Sequence, residues 1–194
     1  MPVWGMAVSV RAAEYVIFPT AASAREFDMP ADNRSFRAAV LTVSDRAYSG
    51  ERKDESGPAI CRILEKKGYV VEALSVVADE AEQIEKALLG FADTDKVDLV
   101  LTTGGTGFSP RDITPEVTMQ LAHRNAPGIS EAIRAFSLTK TKHAMLSRGV
   151  SVIRNSTLII NLPGSPRSCE ESLEIIMDAL PHGLGILNGL KLDK

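Results

Sequence analysis

Short apolar, β-branched runs alternate with stretches whose apolar residues recur three or four positions apart, and this alternation continues from about residue 37 to residue 190. Residues 38–43 (Ala-Ala-Val-Leu-Thr-Val) have the length and composition of a buried strand, ending in the polar cluster Ser44-Asp45-Arg46. A loop rich in charge and glycine follows. Pro58 then suits the first turn of a helix, Ile60, Ile63 and Leu64 form its apolar stripe, and Gly68 after two lysines stops it. Residues 69–77 read as a second strand, 81–91 as a helix with Ile84, Leu88 and Phe91 on one face, and 97–102 as a third strand.

Thr114 and Pro115 predict an N-cap and first position for a helix running to about residue 121. Another helix is expected from near Gly128 or Ser130, with Ile129, Ala132, Ile133 and Phe136 at helical spacing. Residues 150–153 and 157–162 are strand candidates joined by a turn at 154–156. A helix is expected over 169–180 and a last short one over 181–190.

Strand and helix in this order predict an α/β fold: right-handed crossovers and a mostly parallel sheet covered on both faces. Ligands in such folds sit beyond the carboxyl ends of the strands. Ser44-Asp45-Arg46, the loop after the third strand and the turn 161–165 all fall at such ends, so one crevice could collect them.

Residues 37–194 read as one domain, and the chain's 194 residues, 44% of them hydrophobic, suffice for a core burying roughly 70% of the unfolded surface. Residues 1–36 read as an appendage. Its apolar stretch at 3–10 is too short to span a membrane and lacks a basic leader, so a cytoplasmic location is expected. Residues 14–19 suit a short edge strand ended by Pro19, and 21–34 a linker.

A net charge of −3 argues against a nucleic-acid partner, so any anionic ligand must be met locally. Cys61 and Cys169 lie far apart with no C-x-x-C, which predicts two reduced thiols. His123, His143 and His182 show no metal or triad spacing. Arg134, Arg148 and Arg154 read as solvated.

Chemistry concentrates in residues 101–116, Leu-Thr-Thr-Gly-Gly-Thr-Gly-Phe-Ser-Pro-Arg-Asp-Ile-Thr-Pro-Glu. Gly104, Gly105 and Gly107 let main-chain N–H groups approach an anion. Arg111 suits phosphate oxygens, whereas Asp112 repels them unless a divalent cation lies between. Proline at position 110 breaks the dinucleotide fingerprint, and no P-loop pattern occurs. Asp79 has two readings. With Glu82 three positions on it suits a helix cap, and beyond the second strand it suits Mg²⁺ beside Asp112. Asp45 with Arg46 fits either a loop ion pair or a ligand-facing pair, and Asn161 to Ser165 either a strand-ending turn or a pocket wall.

These segments together closely resemble the MogA-like molybdopterin adenylyltransferases, the family that includes the G domains of gephyrin and of plant Cnx proteins. The resemblance rests on residues 42–46 (Thr-Val-Ser-Asp-Arg), 56–58 (Ser-Gly-Pro), 78–80 (Ala-Asp-Glu), 101–107, 111–116 (Arg-Asp-Ile-Thr-Pro-Glu), Pro127-Gly128, 144–148 (Ala-Met-Leu-Ser-Arg) and 161–166 (Asn-Leu-Pro-Gly-Ser-Pro), in family order. Gly149 stands where some plant relatives carry serine.

The resemblance implies a three-layer α/β/α fold, commonly a homotrimer, that transfers AMP from ATP to the terminal phosphate of molybdopterin and releases pyrophosphate. Asp79 and Asp112 match its two acidic positions and would position Mg²⁺ and the reacting phosphates. Gly104, Gly105, Thr106, Gly107, Arg111 and Thr114 would hold phosphates. Ser44, Asp45, Arg46, Asn161, Pro163, Gly164 and Ser165 would help form the pterin and nucleotide pocket, and a molybdenum-insertion protein would take the product. The alternative is a non-catalytic MoaB-like molybdopterin-binding or scaffold module, against which both aspartates weigh.

Overall fold

A computed structural model describes residues 34–190. The edge strand expected at 14–19 and nearly all of the linker lie outside the described residues. The chain runs β1 (Arg37–Val43), α1 (Asp45–Tyr48), α2 (Ser56–Lys66), β2 (Val70–Val77), α3 (Ala81–Leu89), a π-turn (Gly90–Thr94), β3 (Leu99–Thr103) and α4 (Thr114–Gln120). It continues through β4 (Arg124–Asn125), α5 (Pro127–Lys140), a 3₁₀ turn (Lys142–Leu146), β5 (Ser151–Arg154), β6 (Thr157–Leu162), α6 (Pro166–Ile176) and α7 (Leu180–Leu187).

One sheet of order β2-β1-β3-β6-β5-β4 forms the middle layer. Its first four strands are parallel, and β5 runs antiparallel to both of its neighbours, β6 and β4. The central strands alternate their side chains between two cores, as the twofold strand period requires. Ala38 and Val40 of β1, Leu99 and Leu101 of β3, and Leu158 and Ile160 of β6 face the layer of α2, α5, α6 and α7. Ala39, Leu41, Val100 and Ile159 face α3 and α4. Burial on both faces explains why these strands read as continuous apolar runs.

The differences from expectation lie mostly at element ends. The loop after β1 opens with a helical turn, α1, in which Ser44 Oγ accepts from Ala47 N at 3.3 Å. Helix α2 starts two residues before Pro58 because Asp54 Oδ1 accepts from both Ser56 N and Gly57 N. Thr114 is the first residue of α4, and its cap position belongs to Ile113. Helix α5 likewise starts earlier, at Pro127. Helix α6 begins three residues before its expected start, at Pro166, capped by Ser165, whose Oγ accepts from Ser168 N at 3.2 Å. The expected helix over 169–180 stops at Ile176, and α7 restarts at Leu180 with Pro181 at its beginning, where the missing proline N–H costs nothing. Strand β4 was not expected, since both its residues are exposed and carry no apolar signal.

Arg154 is not simply solvated: it pairs with Asp93 in the π-turn, at distances down to 2.6 Å, and donates to Leu121 O at 3.1 Å. Cys61 and Cys169 are buried free thiols, and burial pushes them up to about 12 and about 11. Among the described residues no helix is long and apolar enough to cross a membrane.

Candidate functional site

The glycine loop leaves β3 through two backbone conformations that side chains disfavour. Gly104 has φ +98° and Gly105 φ +63°. A Cβ on Gly104 would lie 2.2 Å from Val43 O, and one on Gly105 would lie 2.2 Å from Thr114 Oγ1 and 3.3 Å from Asp79 Oδ1. The glycines therefore let the loop nest against β1 and α4. On its other side, Thr103 Oγ1 donates to Pro163 O at 2.6 Å, with Cys169 Sγ donating to the same carbonyl at 3.0 Å. Ser56 Oγ holds Gly164 O at 3.0 Å. These bonds fix the turn after β6 beside the loop after β3, as adjacent parallel strands allow.

Asp79 lies where β2 ends, half-buried. It does not cap α3; the cap position is Glu80, with no side-chain bond to the helix amides. Instead Asp79 Oδ2 accepts from Asp45 N at 2.8 Å while Asp79 N donates to Asp45 Oδ1 at 3.0 Å. Burial raises the Asp79 carboxyl above its ordinary value, and the charges of Asp45 and Asp112 push the same way. Asp45 is shifted oppositely because the Arg111 guanidinium bonds it. Asp45 thus pairs with Arg111, and not with Arg46 as the loop ion-pair reading has it. Arg111 Nε reaches Asp45 Oδ2 at 2.9 Å, its NH2 reaches Oδ1 at 2.8 Å, and its NH1 reaches Glu80 Oε1 at 2.8 Å.

Asp112 sits on the far arm of the loop, its Oδ2 accepting from Ser109 N at 2.9 Å. Arg148, expected to be solvated, binds that arm. Its Nε donates to Gly107 O at 2.7 Å, and its remaining nitrogens bond Asp112 O and Glu116. Arg134 similarly donates to Gly149 O at 2.6 Å. Neither role has a local sequence signal, because each is made across the fold.

A cavity of about 360 Å³ gathers Ser44, Asp45, Arg46, Asp79, Gly104, Gly105, Arg111, Asp112 and Gly164. Arg52, Lys53, Asp54 and Ser56 also line it and were not among the expected site residues, since charge and glycine in a loop do not by themselves mark a pocket. Thr42 Oγ1 donates to Asp54 at 2.8 Å, tying that loop to the end of β1. Thr106, Gly107 and Pro163 line a second cavity of about 280 Å³ across the glycine loop, with Ile133, Arg134, Ser137 and Ser147. The larger groove of about 1040 Å³ lies beside α3 and the π-turn and holds none of the expected site residues.

Asn161 and Ser165 face neither cavity. Asn161 is 3% exposed, donating to Thr102 and Thr118 hydroxyls at 3.0 Å each and accepting from Val150 N, so its polar atoms are spent inside. Ser165 is the α6 cap. Thr114 is buried beneath Gly105, and its Oγ1 has no hydrogen-bond partner.

No three His, Cys, Asp or Glu side chains among the described residues form a metal cage. Mg²⁺ commonly takes one or two carboxylates and completes its shell with water and substrate phosphate. Asp79 and Asp112 supply such a pair at one cavity wall. Arg46, Arg52 and Lys53 make no ion pair among the described residues and leave positive charge at the rim.

Glycine-loop backbone, the cations Arg46, Arg52 and Lys53, and the carboxylates of Asp79 and Asp112 thus line one cavity of an α/β protein. Residues 39–182 match the family described as a probable molybdopterin binding domain. The chain is 44% identical over 154 residues to molybdopterin adenylyltransferase of Helicobacter pylori strain J99, covering 77% of this chain and 86% of that one. It is 40% identical over 180 residues to gephyrin of Dictyostelium discoideum, spanning 88% of this chain but only 25% of gephyrin. The solved structure of the molybdopterin biosynthesis enzyme MoaB from Thermus thermophilus superposes with TM-score 0.77 at 46% identity, covering 81% of this chain and 99% of that one. The chain belongs to the MogA/MoaB family of molybdenum cofactor biosynthesis.

Proposed function

We propose that this protein transfers AMP from ATP to the terminal phosphate of molybdopterin. A phosphate oxygen of molybdopterin attacks the α-phosphorus of ATP, the bond from that phosphorus to the β-phosphate bridging oxygen breaks, and pyrophosphate leaves. The observation that carries this reading is the pair Asp79, at the end of β2, and Asp112, on the glycine loop, both lining the cavity that also gathers Gly104, Gly105 and Arg111. A module that only bound molybdopterin would gain nothing from carboxylates facing phosphate.

Asp79 and Asp112 would hold Mg²⁺, whose charge, when bound, offsets the repulsion between carboxylates and polyphosphate and stabilises negative charge developing on the leaving oxygen. Amides of the loop Gly104–Gly107 orient the phosphates. Thr114, buried beneath Gly105, supports the loop from α4. Arg46, Arg52 and Lys53 face the departing pyrophosphate from the opposite rim. The second cavity, walled by Ile133 and carrying Arg134, Ser137 and Ser147, takes the flat pterin. A trimer in the cytoplasm, handing its product to a molybdenum-inserting protein, completes the proposal.

Release of pyrophosphate tests it. Release should require molybdopterin, ATP and Mg²⁺ together; release from ATP and Mg²⁺ alone at the same rate would make the protein a nucleotide hydrolase with water as nucleophile.

A further inference from the structure

Arg111 faces the nucleotide cavity, yet all three of its guanidinium nitrogens already bond carboxylates of the protein. Two reach the two oxygens of Asp45 and the third reaches Glu80, so the fork geometry that would grip a phosphate is already filled. The partners come from three places in the chain. Asp45 opens α1, Glu80 precedes α3, and Arg111 lies on the arm of the glycine loop that carries Asp112. Asp45 and Asp79 in turn each donate a backbone N–H to the other's carboxylate, at 2.8 and 3.0 Å.

We propose that Arg111 is a positioning residue rather than a phosphate ligand, and that Glu80 is its second anchor: together they clamp the Asp112 arm to Asp45, and through Asp45 set the place of the Asp79 carboxylate. The proposal rests on the adenylyl-transfer reading for its kinetic consequences but not for its structural ones. Single exposed ion pairs contribute little, and Arg111, Asp45 and Glu80 are 49%, 45% and 54% exposed. The bidentate contact and the anchoring of Asp45 by Asp79 backbone make this a network, the case in which such pairs do hold geometry. Removing the clamp shifts two groups that must meet one phosphate, and small misplacements of that kind slow chemistry more than binding.

The test compares the full-length wild type with Glu80→Gln, Arg111→Lys and the double variant. Equilibrium binding of MgATP, turnover, and amide hydrogen exchange are read on each. Lysine keeps the charge but cannot span both anchors. Arg111→Lys should lower kcat about tenfold or more with ATP affinity changed less than about threefold. Glu80→Gln should lower kcat by a smaller factor, and the double variant should resemble Arg111→Lys, because both act through one link. The Asp45 and Asp79 amides should exchange faster in each variant.

A phosphate ligand would behave oppositely. Arg111→Lys would weaken MgATP about tenfold, Glu80→Gln would tighten it by freeing the guanidinium, and the two amides would exchange as in the wild type. That pattern overturns the proposal. If the wild type makes no adenylylated product, the functional reading fails by itself, and the exchange of the two amides still decides the clamp.

Discussion

Asp79→Asn should reduce kcat/KM for adenylyl transfer by about 10²–10³-fold, or roughly 3–4 kcal/mol of transition-state stabilisation, if the carboxylate anchors cation and phosphate charge. The substitution isolates charge from shape. Asparagine keeps an oxygen that can accept from Asp45 N, the bond Asp79 makes now at 2.8 Å. It also removes a charge that burial, Asp45 and Asp112 all oppose. Thermal stability should therefore stay level or rise while turnover collapses. A melting temperature that falls by several degrees with turnover nearly intact would make Asp79 a structural tie between β2 and α1. Initial rates and a thermal melt on one preparation separate the outcomes.

Gly104→Ala should destabilise the fold by about 3 kcal/mol or more, through a left-handed φ costing about 1–3 kcal/mol and an overpacked contact of similar size. A Cβ there would stand 2.2 Å from Val43 O at φ +98°. The carbonyl has little room to move, because Val43 is held in register with Val77 of β2 and the residue before it is paired on both sides. For a domain of this size the melting temperature should drop by about 6–12 °C. Gly128→Ala provides the control, since no atom lies within 4 Å of a Cβ there and the residue is inside α5. It should be neutral or slightly stabilising. Equal melting of the two variants would show that the glycine loop tolerates a side chain and is not held as described.

The architecture was legible because the strands β1, β3 and β6 are buried on both faces and the helices α2, α3 and α6 show one apolar stripe each. Helix ends were less legible. The start of α2 depends on Asp54, and the break between α6 and α7 on Pro181, and both compete with apolar periodicity that runs through them.

Within the site, what could be read was residue type at a strand end: Asp79, Asp112 and the glycines. Partner choice could not. Arg111 finds Asp45 across 66 positions and Arg148 finds Gly107 across 41, distances at which no local spacing speaks. For Asn161 the same holds: its place beside the turn left a strand end and a pocket wall both open, and its three bonds point into the sheet and α4.

If Asp79 and Asp112 act together on the phosphates, this family member is a transferase rather than a binding module. Mass analysis of molybdopterin after incubation with the protein, ATP and Mg²⁺ tests that claim most directly. Adenylylated molybdopterin should form with the wild type and fall nearly to background with Asp112→Ala. Folded wild-type protein that binds molybdopterin and leaves it unmodified would contradict the account.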